Sequence, residues 1–323
     1  LGTPTWHIYA VAILLVAGAG GHLDELWQLR PRMPALDGDV TWVTCDTPQA
    51  RSLLAAEQRL FAPPTPPHDV RGTMANLRFA RHVLALADWT DVVTTGPLLS
   101  VPFLVLARRR GLRAHYIESP TRLSGPSLSA SILERIPGVH LYSPYRWWRR
   151  KHWVFRGSVL DGFAPAPAGP PQLQRVVVTL GTSGYGFSRL VAAARRAIPE
   201  DCEVFWQTGN TVVDDPGINA RPFVPAHELS EAMARADLVI SHAGVGSALS
   251  AMRAGRAPLL VPRRAEEGEH VDDHQVEIAR ELERRGLALA CEADQLEEAI
   301  LWKAASASVR RPRRPPTFEL EVA

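Results

Sequence analysis

Apolar runs of strand length alternate with helix-length amphipathic segments along almost the whole chain. In the first half, Ile8–Ala17, Val40–Thr44, Asp91–Thr95 and Ala114–Glu118 read as strands. The spacing predicts helices near His22–Leu29, Pro48–Ala56, Gly72–Ala87 and Pro97–Arg110. That order implies βαβ units around a parallel sheet buried on both faces. Gly157–Pro171, with Ala and Pro alternating over Ala164–Pro167, interrupts the rhythm and reads as a linker. The alternation then restarts. Strands are predicted at Arg175–Leu180, Glu203–Trp206, Asp237–Ser241, Ala257–Val261 and Leu287–Ala290. Helices are predicted near Phe187–Ile198, His227–Arg235, Val245–Ala254, Val271–Arg285 and Asp294–Ala305.

A length of 323 residues is about twice that of a usual domain and fits two such units. The expected fold class is α/β, with two Rossmann-like, doubly wound domains in tandem. The first spans residues 1–160 and the second 175–309, joined by a linker over 161–174. The charged, proline-rich Arg310–Pro316 opens a tail, 310–323, expected to be disordered.

Composition narrows the function classes. Hydrophobic residues at 46% and charged residues at 22% suit a globular protein. The 23 Gly and 27 Pro stay below the roughly 25–30% of a low-complexity chain, which excludes a disordered or fibrous protein. A net charge of +2 gives no reason to expect a nucleic-acid partner. Lys151 and Lys303 are the only lysines among 36 basic residues, a bias read as genomic base composition rather than as a site. Cys45, Cys202 and Cys291 are far apart, so neither a disulfide framework nor a structural zinc is expected, and a reducing compartment is. The longest apolar stretch, Ile8–Gly21, is 14 residues, short of the about 20 that span a bilayer. Leu1–His7 lacks the basic start of a signal peptide. A cytoplasmic protein is expected, with peripheral contact to the inner face of the membrane as the furthest departure.

Ligands of doubly wound sheets sit beyond the carboxyl ends of the strands, so the turns there carry the candidate chemistry. Gly18-Ala19-Gly20-Gly21-His22 follows a strand and opens a helix. Such a turn lets backbone amides approach an anion. It lacks the third glycine of G-x-G-x-x-G, which disfavours NAD. His22, facing the cleft from a first helical turn, is a candidate general base; a structural hydrogen bond is the plainer alternative. Gly181-Thr182-Ser183-Gly184 and Ser241-His242-Ala243-Gly244-Val245-Gly246-Ser247 repeat the theme in the second half. Two glycines and a hydroxyl at a helix N-terminus make a diphosphate cradle.

Further on, Pro262-Arg263-Arg264 precedes Asp272-Asp273-His274-Gln275 at the start of a helix. Asp and Gln there suit sugar hydroxyls, unless the Asp is simply a cap. His270 and His274 are spaced i, i+4, but no third ligand follows the spacing, so no metal is expected. Asp37-Gly38-Asp39 precedes its strand and reads as a turn. The aromatic–basic stretch Tyr145–Trp153 fits packing between the domains first, a lipid headgroup interface second and single-stranded nucleic acid last. Arg71–Arg81 could extend a peripheral patch.

With those motifs assembled, the chain resembles the MurG-like, family 28 glycosyltransferases of GT-B fold. GTSGYGF (181–187), WQTG (206–209), FVP (223–225), SHAGVGS (241–247) and DDHQVEIARELERRG (272–286) are similar to that family's nucleotide-sugar domain. GAGGHLDEL (18–26), VTCDTP (43–48) and YIESPTR (116–122) resemble the membrane-docking subunit of the two-subunit N-acetylglucosaminyltransferase of lipid-linked oligosaccharide synthesis. The two halves would be fused here, as in bacterial exopolysaccharide transferases, and the likeness covers roughly residues 8–305.

The resemblance implies two domains facing across a cleft and an inverting transfer from a UDP-sugar, with no cofactor and no essential metal. The implied acceptor is a polyprenyl-diphosphate-linked saccharide. Thr182, Ser183, Gly244, Val245, Gly246 and Ser247 would meet the donor diphosphate. The backbone at Phe223 and Val224 would meet uracil, and Asp273 with Gln275 the sugar. Gly20, Gly21, Gln207, Thr208, His242 and His274 complete the implied donor set. His22 aligns with the proposed base, and Glu118 is the second choice. Relatives often carry Glu where this chain has Ser250, so ribose recognition must come from elsewhere. The rival readings are a transferase acting on a soluble small molecule and a non-catalytic nucleotide-sugar-binding partner. An epimerase of the same fold needs cleft carboxylates that the sequence does not place.

Overall fold

The computed structural model describes residues 12–63, 70–167, 169–182 and 184–321, excluding the side chains of 70–74. Ile8–Val11 of the first predicted strand and Ser183 lie outside them. The chain divides into two compact units, residues 1–159 with 316–323, and residues 160–315.

The first unit contains β1 (Ala12–Ala17), α1 (Gly21–Leu29), β2 (Asp39–Cys45), α2 (Pro48–Leu53), β3 (Gln58–Ala62) and α3 (Val70–Val83). It continues with β4 (Trp89–Gly96), α4 (Val101–Arg109), β5 (Arg113–Ile117), α5 (Leu128–Leu133), β6 (Val139–Tyr142) and β7 (Trp153–Val154). All seven strands are parallel, in the order β3-β2-β1-β4-β5-β6-β7. The sequence Ala-Ile-Leu-Leu-Val-Ala makes β1 central because helices cover both of its faces, leaving Ile13 through Ala17 without exposure. β3, β6, β7 and α5 went unpredicted. Gln58–Ala62 is a half-exposed edge strand, and β6 and β7 are too short to show a period.

In the second unit come β8 (Ala164–Ala166), β9 (Arg175–Thr179), α6 (Ser188–Ala197), β10 (Glu203–Gln207), β11 (Ala220–Arg221) and α7 (Ala226–Arg235). After them follow β12 (Leu238–His242), α8 (Val245–Arg253), β13 (Leu259–Val261), α9 (His274–Arg284), β14 (Leu289–Ala290), α10 (Glu298–Ala305) and β15 (Ser308–Arg310). The six-stranded sheet is parallel, in the order β11-β10-β9-β12-β13-β14. Side chains alternate across it. Val176 and Val178 join Leu190, Ala194 and Leu301 on one face, while Val177 and Val239 join Met233 and Ala251 on the other. In each unit the winding reverses beside the first strand, between β1 and β4 and between β9 and β12. Crevices form at such switch points.

Two expectations are corrected. Within the predicted linker, β8 pairs antiparallel with β15, Pro165 opposite Val309. A two-stranded edge tolerates the missing proline N–H. The tail is likewise ordered over its described residues, 311–321. Phe318 is fully buried against Tyr142, with ring centroids 5.5 Å apart, and its N–H donates to Arg32 O at 2.7 Å. Glu321 pairs with His140 at 2.9 Å and Arg156 at 3.2 Å. One aromatic anchor and one ion-pair cluster fix a segment whose composition reads as disorder.

Candidate active site

The crevice of the first unit lies where β1 and β4 end. Gly18 N–H donates to Gly96 O at 3.0 Å, and a Cβ on Gly18 would lie 2.3 Å from Pro97 Cδ, so the two turns touch only because position 18 is glycine. His22, in the first turn of α1, lies against Gly96. Its Nδ1 is buried with no hydrogen-bond partner among the described residues. Burial lowers the imidazole pKa to about 4; a hydrogen bond to the Thr95 backbone opposes this and the Arg122 charge adds to it. His22 is therefore neutral at pH 7, with one nitrogen available to a proton. Gly21 contributes an amide to the same turn. Gly20, expected to contact the donor, is used differently. Its N–H donates to Gln49 Oε1 at 2.9 Å, and Gln49 Nε2 donates back to Gly20 O at 3.4 Å and to Asp24 at 3.0 Å.

Glu118, just past β5, is buried, and both its oxygens are engaged. Oε1 accepts from Ser119 N–H at 3.1 Å and Tyr116 OH at 3.3 Å, and Oε2 from Ser127 N–H at 2.8 Å. It fixes the loop between β5 and α5. Sequence reading missed Glu25, one helical turn beyond His22. Burial pushes its carboxyl up to about 8, against a 2.7 Å hydrogen bond from Ser119 and with reinforcement from the Glu118 and Asp24 charges. Between pH 4.5 and 8 the unfolded chain has released this proton and the native chain keeps it, so stability falls as pH rises, by about 1.4 kcal/mol per unit. Glu25→Gln is expected to melt higher than wild type, by a margin that widens from pH 6.5 to 8. A constant margin in thermal melts contradicts this.

In the second unit the crevice is lined by glycines packed on His242. Gly181 follows β9 with φ +69°; its Cβ would lie 2.4 Å from His242 Cε1, and one on Gly244 would lie 2.2 Å from Nε2. Only glycine fits on either side of this ring. Burial lowers the His242 pKa to about 3, helped by the Arg263 charge, so the ring is neutral. Gly244 caps α8, and Val245, Gly246 and Ser247 supply first-turn amides that have no carbonyl one turn earlier. These donors and the helix dipole converge on one spot at the end of β12, where an anion is stabilised.

The remaining expected donor residues divide. Thr182 is exposed on the glycine loop, and Phe223 (57% exposed) with Val224 forms the loop after β11. Thr208 Oγ1 is buried and has no partner among the described residues. Gln207 braces the loop. Its Oε1 accepts from Thr179 at 2.6 Å and Gly181 N–H at 3.1 Å, while Nε2 donates to Gly181 O at 2.9 Å and Pro222 O at 2.8 Å. Gln275 is buried with its Oε1 on Arg263 N–H, and exposed Asp273 accepts from Ala265 N–H. Ser250 accepts from Arg253 on α8 at 3.2 Å.

Arg263 was not assigned to the site from sequence, yet it holds the loop together. Its buried guanidinium donates to Leu180, Tyr185, Gly186 and Glu269 carbonyls at 2.7–3.3 Å and lies over Phe187. Burial lowers its pKa to about 10, opposed by the Glu269 charge, so it remains a cation beneath the glycine loop.

Residues 175–313 match the glycosyltransferase family 28 C-terminal domain. Over 324 aligned residues, 90% of this chain and 86% of the other, the chain is 24% identical to the UDP-N-acetylglucosamine--N-acetylmuramyl-(pentapeptide) pyrophosphoryl-undecaprenol N-acetylglucosamine transferase of Nostoc punctiforme. A shorter match, 48% identical over 58 residues, is to the UDP-N-acetylglucosamine transferase subunit ALG13 of Yarrowia lipolytica, covering 18% of this chain and 28% of that one. The solved structure of MurG from Acinetobacter baumannii superposes with a TM-score of 0.55 at 18% identity, over 91% of this chain and 89% of that one. The second unit carries a family 28 glycosyltransferase C-terminal domain, and the chain as a whole is similar to MurG-type transferases. Its two Rossmann-like sheets are those of the GT-B fold.

The side chains of the aromatic–basic stretch find partners inside the first unit. Tyr145 is buried, Trp148 donates to Leu123 O at 2.8 Å, and Trp153 joins the core and donates to Glu134 at 3.2 Å. Trp147 stacks on Tyr145 and stays 48% exposed, between exposed Arg146 and Arg149. Among the described residues no helix is long and apolar enough to cross a membrane.

Proposed function

We propose that this transferase moves a sugar from UDP, with inversion and without an essential metal, onto a hydroxyl of a polyprenyl-diphosphate-linked saccharide used in cell-surface polysaccharide synthesis. The carrying observation is the cluster of first-turn amides at Val245–Ser247, beside the neutral imidazole of His242, which also feels the Arg263 charge. Such a site favours the charge that grows on a departing diphosphate. The relative matched over most of both chains is named for a pyrophosphoryl-undecaprenol acceptor, which supports the lipid-linked class. In the first unit, His22 accepts the acceptor proton as the oxygen attacks the anomeric carbon opposite the leaving group. Exposed Trp147 with Arg146 and Arg149 suits a headgroup surface on the cytoplasmic face.

Turnover assays pairing UDP-, GDP- and TDP-sugars with lipid-linked and soluble acceptors test the reading. It requires a UDP-sugar and a lipid-linked acceptor; preference for a soluble acceptor supports the small-molecule transferase, and UDP binding without turnover on any acceptor supports a binding module. Ser247→Ala is expected to slow turnover by on the order of 10²-fold with an unchanged melting temperature. Equal rates contradict a contact from the Ser247 hydroxyl to the diphosphate.

A further inference from the structure

The loop from β13 to α9 gathers a set of side chains whose arrangement the transfer reaction does not require. His270, Asp272 and His274 each present a ligand atom, and these atoms lie within 4.8 Å of one another. We propose that His270, Asp272 and His274 form a binding site for a divalent transition metal of the zinc class, which fastens the β13–α9 loop to the start of α9. The inference does not depend on the transferase reading.

Ligand chemistry and spacing support it. Two imidazoles and a carboxylate are a donor set for zinc, cobalt, nickel or iron, whereas magnesium and calcium prefer all-oxygen ligands. With bonds of about 2.0–2.1 Å in a tetrahedron, ligand atoms stand about 3.4 Å apart. His270 Nδ1 and Asp272 Oδ1 are 3.4 Å apart. His274 Nδ1 is hydrogen-bonded to the same carboxylate, an approach that coordination replaces with a metal held between them. The two imidazole rings meet edge to face, with centroids 4.6 Å apart. Tyr185 of the glycine loop packs on His270 at 5.8 Å and limits where that ring can turn.

Access and placement fit as well. The side chains keep 17%, 42% and 22% of their exposure, enough for an ion to enter from solvent. Asp272 and His274 flank Asp273, which precedes α9 and accepts from Ala265 N–H at 2.9 Å. An ion on the trio would therefore tie both ends of the Ala265–Asp273 segment. Three protein ligands leave the remaining position to water. Sequence reading found the two histidines but took Asp272 as part of a sugar-binding run. The local pattern is His-x-Asp-x-His, which only the turn before α9 converts into a cluster.

The test uses the full chain, stripped with a chelator and titrated with Co²⁺ and then Zn²⁺. The expected result is saturable uptake of one Co²⁺, with visible d–d absorption that Zn²⁺ abolishes. Zn²⁺ should also raise the melting temperature, and Mg²⁺ should do neither. His270→Ala, Asp272→Ala and His274→Ala should each weaken uptake by about 100-fold. His227→Ala, an exposed histidine on α7, should leave it unchanged. The three ligands are surface-accessible, so far-UV circular dichroism of the variants should match wild type. No saturable Co²⁺ or Zn²⁺ binding overturns the site, as does binding that all three variants retain.

Discussion

His22→Asn is expected to lower kcat by about 10²–10⁴-fold while leaving UDP affinity and the melting temperature near those of wild type. The reason is local. His22 is held in a first helical turn with one nitrogen unpartnered, whereas Glu118 has both oxygens committed to Tyr116, Ser119 and Ser127. Glu118→Gln should therefore cost mainly stability. The pH profile separates His22 from an ordinary histidine. With a pKa lowered to about 4, its neutral form persists at pH 5, so the rate there should be within twofold of that at pH 7. A histidine near pKa 6.5 would lose about 25-fold over that range. Stability moves separately: the native ring stays neutral where the unfolded one charges, so stability falls as pH drops from 6.5 towards 4. Short initial-rate assays keep the two effects apart.

Arg263→Met is expected to destabilise the second unit by about 3–5 kcal/mol and lower its melting temperature by on the order of 10 °C. It should also weaken UDP binding more than tenfold. Removing the guanidinium leaves carbonyls of Leu180, Tyr185, Gly186 and Glu269 without their donor and takes the positive charge from under the glycine loop. Arg263→Lys restores the charge but cannot span those carbonyls, so its melting temperature should stay low. Loss of stability with UDP affinity intact would show that the cation plays no part in the cradle.

The sheets were legible because buried parallel strands are written as continuous aliphatic runs. Arg175–Leu180 was predicted and Arg175–Thr179 observed, and the glycine turn after it fell where expected. Helix starts at Val245 and near His22 were readable from their glycines. What the sequence did not show was which polar atoms are already engaged. Gln207 and Gly20 looked like donor contacts, yet their polar atoms close hydrogen bonds across the fold, which no local pattern reveals. Arg263 was the converse, one arginine among many until the loop carbonyls converge on it. Phe318 shows the same limit in the core, since a single aromatic anchored a tail whose arginines and prolines dominate its composition.

The most direct measurement is a crystal structure of the chain with UDP. Diphosphate oxygens within about 2.7–3.2 Å of the Val245, Gly246 and Ser247 amides are the expected result. A vacant α8 N-terminus, with UDP bound elsewhere or absent at saturating concentration, contradicts the account.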